Sequence, residues 1–222
     1  MTTTASATAS ATASATASAP APAPAPAASA RRPVFTQSVE GFGTVTFTPV
    51  DPAADSALIH SWVTEERARF WGMAGADRAL VQEIYEDVDR RTTHHAFLAR
   101  RDGIPVALFQ TYDCAEDRVG ECYEVQPGDT GVHLLIGPAQ GASEPGFSAR
   151  LIGAFLAFVL ADGATRRIVA EPDARNGKAL ARLERTGFTL GPEVELPEID
   201  LPEVYLPAKR ARLAFLSAPG SR

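Results

Sequence analysis

The 222-residue chain is poor in cysteine, with only Cys114 and Cys122. They make no CxxC pair and have no histidine close in sequence, which argues against a disulfide scaffold and against a structural zinc site. Positive charge is not in surplus either. The formal net charge is −6 and the sequence pI about 5.3, so no basic face points to nucleic acid or an anionic membrane. Long apolar runs are absent: the most apolar stretch, Leu151 to Ala161, falls short of the about 20 residues a membrane-crossing helix needs. The N-terminal segment up to Ala30 has no charge and, beyond Met1, no bulky apolar side chain.

That segment consists of Ala-Thr-Ala-Ser units followed by alternating Ala-Pro from Ala19. It cannot bury enough surface to offset its ordering entropy, and its proline-rich part favours stiff polyproline II. A signal peptide needs a basic start and large apolar residues, and neither is present. The expectation is therefore a cytoplasmic protein with a disordered tail over residues 1–33, and one domain with a real core over residues 34–222.

Within the domain, Val45 and Phe47 alternate with Thr44, Thr46 and Thr48 as a first strand, ended by Pro49. Asp55 or Ser56 stands where it would cap a helix carrying Leu58, Ile59 and Trp62. Asp77 would cap a second helix, with Leu80, Val81, Ile84, Tyr85 and Val88 at helical spacing. His95–Ala99 and Ile104–Thr111 flank Arg101-Asp102-Gly103 as a hairpin. After the polar stretch Asp113–Asp129 come a strand, Gly131–Ile136, and a loop, Gly137–Gly146. An apolar helix, Phe147–Leu160, a strand, Arg167–Ala170, and a helix, Arg175–Arg185, follow, with Gly187 placed as a C-terminal cap. Leu-Pro pairs recur every five residues from Leu196 and read as an extended edge or loop. Ala211–Leu216 closes the chain as a strand. This order gives a mixed α/β (α+β) domain around a central sheet.

Two segments carry chemistry. A strand, a glycine-bearing loop and an apolar helix can hold a phosphate at the free helix N-terminus, here around Gly141, Gly146, Ser148 and Arg150. The second segment, Glu171-Pro172-Asp173-Ala174-Arg175-Asn176 with Ala179, Leu180 and Gly187-Phe188, resembles the GNAT acyltransferase superfamily. That resemblance implies the GNAT fold, a mixed central sheet with a splayed strand pair and helices on both faces. It also implies acetyl-CoA or another acyl-CoA in the splay. Leu135, Ile136, Gly141, Gly146, Phe147, Ser148, Arg150 and Asn176 would then lie against the cofactor. The loop departs from the family pattern, carrying Glu144 and Pro145 where a basic residue and Gly-x-Gly or Gly-x-Ala are usual.

His60-Ser61-Trp62, Phe70-Trp71-Gly72-Met73, Gly131-Val132-His133-Leu134-Leu135-Ile136-Gly137 and Glu171-Pro172-Asp173 resemble the GNAT branch that builds hydroxamate siderophores. The likeness runs from about Thr44 to Leu216. In that branch a strand histidine and a later aspartate are the proposed catalytic pair, which map onto His133 and Asp173. Trp71 and Trp62 would line the acceptor. The implied reaction is N-acylation of an N-hydroxylated diamine or amino acid such as N-hydroxycadaverine or N-hydroxylysine. The implied partners are that hydroxylamine and an acyl-CoA, with no metal, nucleic acid or membrane.

The chemistry fits those residues. A hydroxylamine nitrogen is neutral near pH 7 and needs a base only as it bonds to the thioester carbon, a task suited to histidine. Backbone N–H groups near Leu135 would stabilise the oxyanion. Plainer readings stand beside these: His133, Trp62 and Trp71 as core, and Asp173 as a cap for the helix that follows. No His/Asp/Glu cluster has metal-ligand spacing. Rival functions are an aminoglycoside-type N-acetyltransferase and a CoA-binding sensor without turnover; the acidic stretch Asp113–Asp129 suits a cationic aminoglycoside, equally the free ammonium of a hydroxylated diamine, or reads as a solvated loop. Neither the acyl group nor the oligomeric state is legible in the sequence.

Overall fold

Strand alternation sorts the large side chains onto two faces of one sheet, and each face finds its own helices. The computed structural model describes residues 31–201 and 204–220, so of the tail expected to be disordered over residues 1–33 only 31–33 fall within the described residues, where Arg31 pairs with Asp89 at 2.5 Å. In chain order the elements are β1 (Phe35–Val39), β2 (Gly43–Pro49), α1 (Pro52–Val63), α2 (Arg78–Arg90), β3 (His94–Arg101) and β4 (Ile104–Asp113). They continue with β5 (Asp129–Ile136), α3 (Phe147–Val159), β6 (Arg167–Ala170), α4 (Gly177–Arg185) and β7 (Thr189–Leu196). The last are β8 (Ile199–Leu201), β9 (Val204–Leu206) and β10 (Lys209–Ser217). Eight strands form one sheet in the order β1-β2-β3-β4-β5-β6-β10-β7, while β8 and β9 pair separately. This is the mixed α/β architecture read from the sequence, with helices on both faces.

On one face Phe47, Phe97, Phe109 and Val132 meet Leu151 and Phe155 of α3. On the other, Leu98, Leu108 and Leu135 meet Ile59 and Trp62 of α1 and Val81 and Tyr85 of α2. Two local expectations are corrected. The chain enters the sheet one strand earlier than expected, because β1 pairs antiparallel with β2 from Phe35↔Phe47 to Val39↔Gly43. The α1 cap is Asp51, which accepts from the N–H groups of Ala53 and Ala54 with Pro52 opening the helix. Asp55 is instead buried and accepts from the Asp51 N–H. Asp77 caps α2 as expected. Among the described residues no helix is long and apolar enough to cross a membrane.

One pairing shapes the site. β5 runs antiparallel to β4 along its whole length, from Asp113↔Thr130 to Ala107↔Ile136. It runs parallel to β6 only over Asp129–Gly131 against Arg167–Val169. Beyond that β6 follows β10 instead: the Arg212 N–H donates to the Pro172 carbonyl, and Asp173 bridges to Ala211. The divergence begins after Val169, and from there the chain keeps its backbone bonds to β10 through Pro172 and Ala174. At the closed end Arg167 clamps the buried Asp129 with two hydrogen bonds, 2.7 and 2.6 Å.

The core against α3 backs the strands on both sides of this splay, through Val132 of β5 and Ile168 and Ala170 of β6. Phe155 is fully buried with its ring 4.3 Å from Phe109 and 5.8 Å from Phe47. Phe155→Ala is expected to cost about 3–5 kcal/mol, read as a lower urea midpoint at unchanged slope.

Candidate active site

β4, β5 and the turn after β6 supply the partners of one imidazole. Carrying the parallel register two residues past Gly131↔Val169 sets Glu171 level with His133 across the splay. The Glu171 Oε1 lies 2.6 Å from His133 Nε2. On the other side Gln110, the register partner of His133 on β4, places its Oε1 2.9 Å from Nδ1. Tyr112 donates its hydroxyl to Glu171 Oε2 at 2.6 Å. Lys209 of β10 donates to the Glu171 carbonyl at 3.1 Å. The rings of Tyr112 and Trp71 flank the imidazole at 4.9 and 6.1 Å.

Burial pushes the Glu171 carboxyl up. The charge and hydrogen bond of His133, with Lys209 and the Tyr112 hydroxyl, outweigh that and hold it down at about 2. Glu171 is therefore an ionised acceptor although only 3% of its side chain is exposed. Burial and that same carboxylate push the Tyr112 phenol well above its ordinary value, so it stays a donor. With Glu171 accepting at Nε2, a proton sits there, and Nδ1 meets the Gln110 oxygen. Gln110 matches both states of the ring. Its oxygen accepts from a protonated Nδ1, and its amide turned over donates to a bare one.

Gly131 makes room for this arrangement. A Cβ there would fall 2.0 Å from the Tyr112 ring, so only glycine lets the ring lie across β5 toward Glu171. The strand also presents backbone to the splay. The Gly137 N–H donates to the Val106 carbonyl on the β4 side. Alternation then turns Leu135 toward β4 and leaves the amides of Leu134 and Ile136 facing the gap. Leu134 thus stands where the sequence reading placed Leu135. The Ile136 carbonyl, on the gap side, accepts from Arg67, which also pairs with Glu65 at 2.5 Å.

Other sequence candidates fall differently. Asp173 is committed to Arg175: it accepts from the Arg175 N–H and Nε at 2.9 Å and from Nη2 at 2.8 Å. It lines the cleft, but among the described hydrogen bonds the imidazole goes to Glu171, two residues earlier. Asn176 caps α4, accepting from the Ala179 N–H. Trp62 is buried at 3% exposure in the core against α1 and is not part of the cleft wall, whereas Trp71 is. Gly146 opens α3 at φ 78° without a side-chain cap; the Phe147 N–H donates to the Glu144 carbonyl, which leaves those of Ser148 and Ala149 to a ligand or water. Beside it Glu144 bonds both Arg101 and Arg150, while Phe147 packs edge-on to Phe42 at 5.3 Å. Gly141 and Ser148 complete the loop and helix entry.

A cleft of about 1260 Å³ joins the imidazole, the Glu171–Asp173 turn and α4, while Gly141, Gly146, Phe147, Ser148 and Arg150 are not among its lining residues. His133, Leu134 and Leu135 form one wall; Glu171, Asp173, Asn176, Ala179 and Arg182 another; Trp71, Met73 and Leu80 a third. Sequence reasoning missed Gln110, Tyr112 and Arg67, which reach the site only through tertiary placement. Glu171 had a usable signal: an acidic residue directly after the apolar run Ile168–Ala170.

A family model described as an acetyltransferase (GNAT) domain matches residues 51–196. Among curated proteins, the Escherichia coli N(6)-hydroxylysine O-acetyltransferase is 30% identical over 156 residues, 69% of this chain and 49% of that protein. The Beauveria bassiana N(5)-hydroxyornithine:cis-anhydromevalonyl coenzyme A-N(5)-transacylase SIDF is 29% identical over 162 residues, 71% of this chain and 34% of that protein. The chain thus spans about half the length of one relative and about a third of the other. An uncharacterised Bacillus halodurans protein shares the fold with TM-score 0.66, 24% identity and coverage of 82% of this chain and 89% of that one. The aminoglycoside acetyltransferase AAC(6')-Ib, solved with coenzyme A, does so with TM-score 0.60, 22% identity and coverage of 78% and 94%.

Gly131→Ala should displace the Tyr112 ring and cut both stability and any turnover, while Tyr112→Phe keeps the ring and loses only the hydroxyl. Comparing the two by thermal unfolding separates crowding from hydrogen bonding. The depressed Glu171 carboxyl contributes stability in full above its ordinary 4.5 and loses it as pH falls toward 2. Unfolding temperatures across that window should therefore fall more steeply for the wild type than for Glu171→Gln.

Proposed function

The chain belongs to the GNAT acetyltransferases, and on that premise we propose that it moves an acyl group from acyl-CoA to the nitrogen of a hydroxylamine, forming a hydroxamate. The observation that carries this reading is the His133–Glu171 pair set level across the β5–β6 splay. The activities named for both relatives, which concern hydroxylated lysine and ornithine, support the acceptor class.

In this reading the thioester lies in the splay with its carbonyl oxygen on the Leu134 N–H, and the pyrophosphate lies at the α3 N-terminus. The hydroxylamine nitrogen attacks the carbonyl carbon, forming the C–N bond and an oxyanion held by backbone N–H. The His133 imidazole takes the proton from that nitrogen while Glu171 stabilises the resulting imidazolium. The tetrahedral intermediate collapses, the C–S bond breaks with its electron pair on sulfur, and the imidazolium proton passes to the departing thiolate. Asp173, locked to Arg175, shapes the turn that delivers Glu171. Trp71 covers the acceptor beside the imidazole. The donor being acyl-CoA, the setting is the cytoplasm.

A neutral nucleophile separates this reading from the aminoglycoside one, where a charged amine must first lose a proton. An imidazole base suits the former. The test pairs N-hydroxycadaverine and N-hydroxylysine with their parent amines and with kanamycin, using acetyl-CoA or succinyl-CoA. Thiol release reports turnover, and the coloured ferric complex distinguishes an N-acyl hydroxamate from an O-acyl product. Turnover with the hydroxylamines and a ferric-positive product are expected. His133→Ala should lose about 10²–10⁴ in rate with CoA binding retained. Unchanged turnover in that variant would remove His133 from the mechanism.

A further inference from the structure

The cleft wall carries five basic side chains, and four have protein partners. Arg67 bonds Glu65 and the Ile136 carbonyl; Arg91 bonds Asp87; Arg118 bonds the carbonyls of Pro197 and Pro207; Lys209 bonds Glu171. Arg182 is the exception among the described residues. It stands on the cleft-facing stripe of α4 with Asn176, Ala179 and Leu183, at helical spacing. Its Nε is buried without a hydrogen-bond partner, and no carboxylate among the described residues pairs with it. The nearest acidic groups of that wall are already committed, Glu171 to His133 and Asp173 to Arg175.

A guanidinium taken partly out of water without a counter-charge is destabilising. Burial and the neighbouring Arg185 both press against its charge. Its planar fork matches a carboxylate or a phosphate. Resting on the donor site proposed above, we infer that Arg182 is an anion-binding residue of the cleft. Its ligand is an anionic group of the acyl donor, either the terminal carboxylate of a dicarboxylic acyl chain or a phosphate of CoA. The stripe it shares with Asn176 faces the splay in which the donor would lie. The arginine thus ties affinity to the donor's charge, independently of the His133–Glu171 pair.

Calorimetric titration of wild type and Arg182→Gln with CoA, 3′-dephospho-CoA, acetyl-CoA and succinyl-CoA tests this. A loss of about ten- to hundredfold is expected for the anion concerned, the range for a charge-assisted hydrogen bond. Loss confined to succinyl-CoA assigns the acyl carboxylate. Loss with CoA, acetyl-CoA and succinyl-CoA but not dephospho-CoA assigns the 3′-phosphate. Equal loss with all four assigns the pyrophosphate. Wild-type affinity for all four in the variant overturns the inference alone. Failure of every CoA species to bind the wild type overturns the donor site and this inference with it. Arg182→Met controls for folding: unliganded, it should unfold at or above the wild-type temperature, because it removes an uncompensated charge. A clear fall would mark Arg182 as structural and overturn the proposal.

Discussion

The site depends on β5 and β6 ceasing to exchange hydrogen bonds after Gly131. Each backbone amide buried in a sheet needs a partner, so a strand that loses its neighbour must find others or be served by a ligand. On the β6 side the chain solves this by following β10 through Pro172 and Asp173. On the β5 side Arg67 takes the Ile136 carbonyl, and the amide of Leu134 is left for what enters. The Asp129–Arg167 clamp confines the opening to one end, so the gap is a fixed wedge rather than a loosened sheet.

Into that wedge the fold places a carboxylate that water cannot reach. Glu171 stays ionised because His133, Tyr112 and Lys209 surround it. Removing one donor from such a buried anion costs more than the hydrogen bond is worth, since the charge remains. The Tyr112 hydroxyl and the space above Gly131 therefore belong to the same arrangement as the imidazole. The Glu144 carboxylate between Arg101 and Arg150 is a second anion held by local cations, beside the helix entry where a phosphate would lie.

Much of this was legible in the residues. The strand and helix order, the Asp77 cap, the loop before α3 and the placing of His133 on a strand facing the Glu171–Asp173 turn follow from local pattern and motif. What escaped is the partner of His133. A carboxylate at either Glu171 or Asp173 satisfies the same motif, and only the parallel register decides between them: Glu171 comes level with the imidazole while Asp173 turns to Arg175. Gln110, Tyr112 and Arg67 were invisible because cross-strand and cross-sheet neighbours are set by tertiary placement. Trp62 shows the converse error. Its motif is local, but an apolar face of α1 buries it whatever the motif suggests.

The unbroken ladder between β4 and β5 has a further implication. Because β5 pairs with β6 over only three residues, β4 sets most of its reading frame. A slip of one residue would carry His133 to the opposite face and exchange which amides face the gap, with every side chain intact. The stretch Asp113–Asp129 that joins these strands is held by its own turns at Asp113 and Asp117. Its buried Cys114 and Val119 pack with Leu196 of β7 and Leu213 of β10, so the start of β5 is fixed by the composition of this stretch as well as by its length.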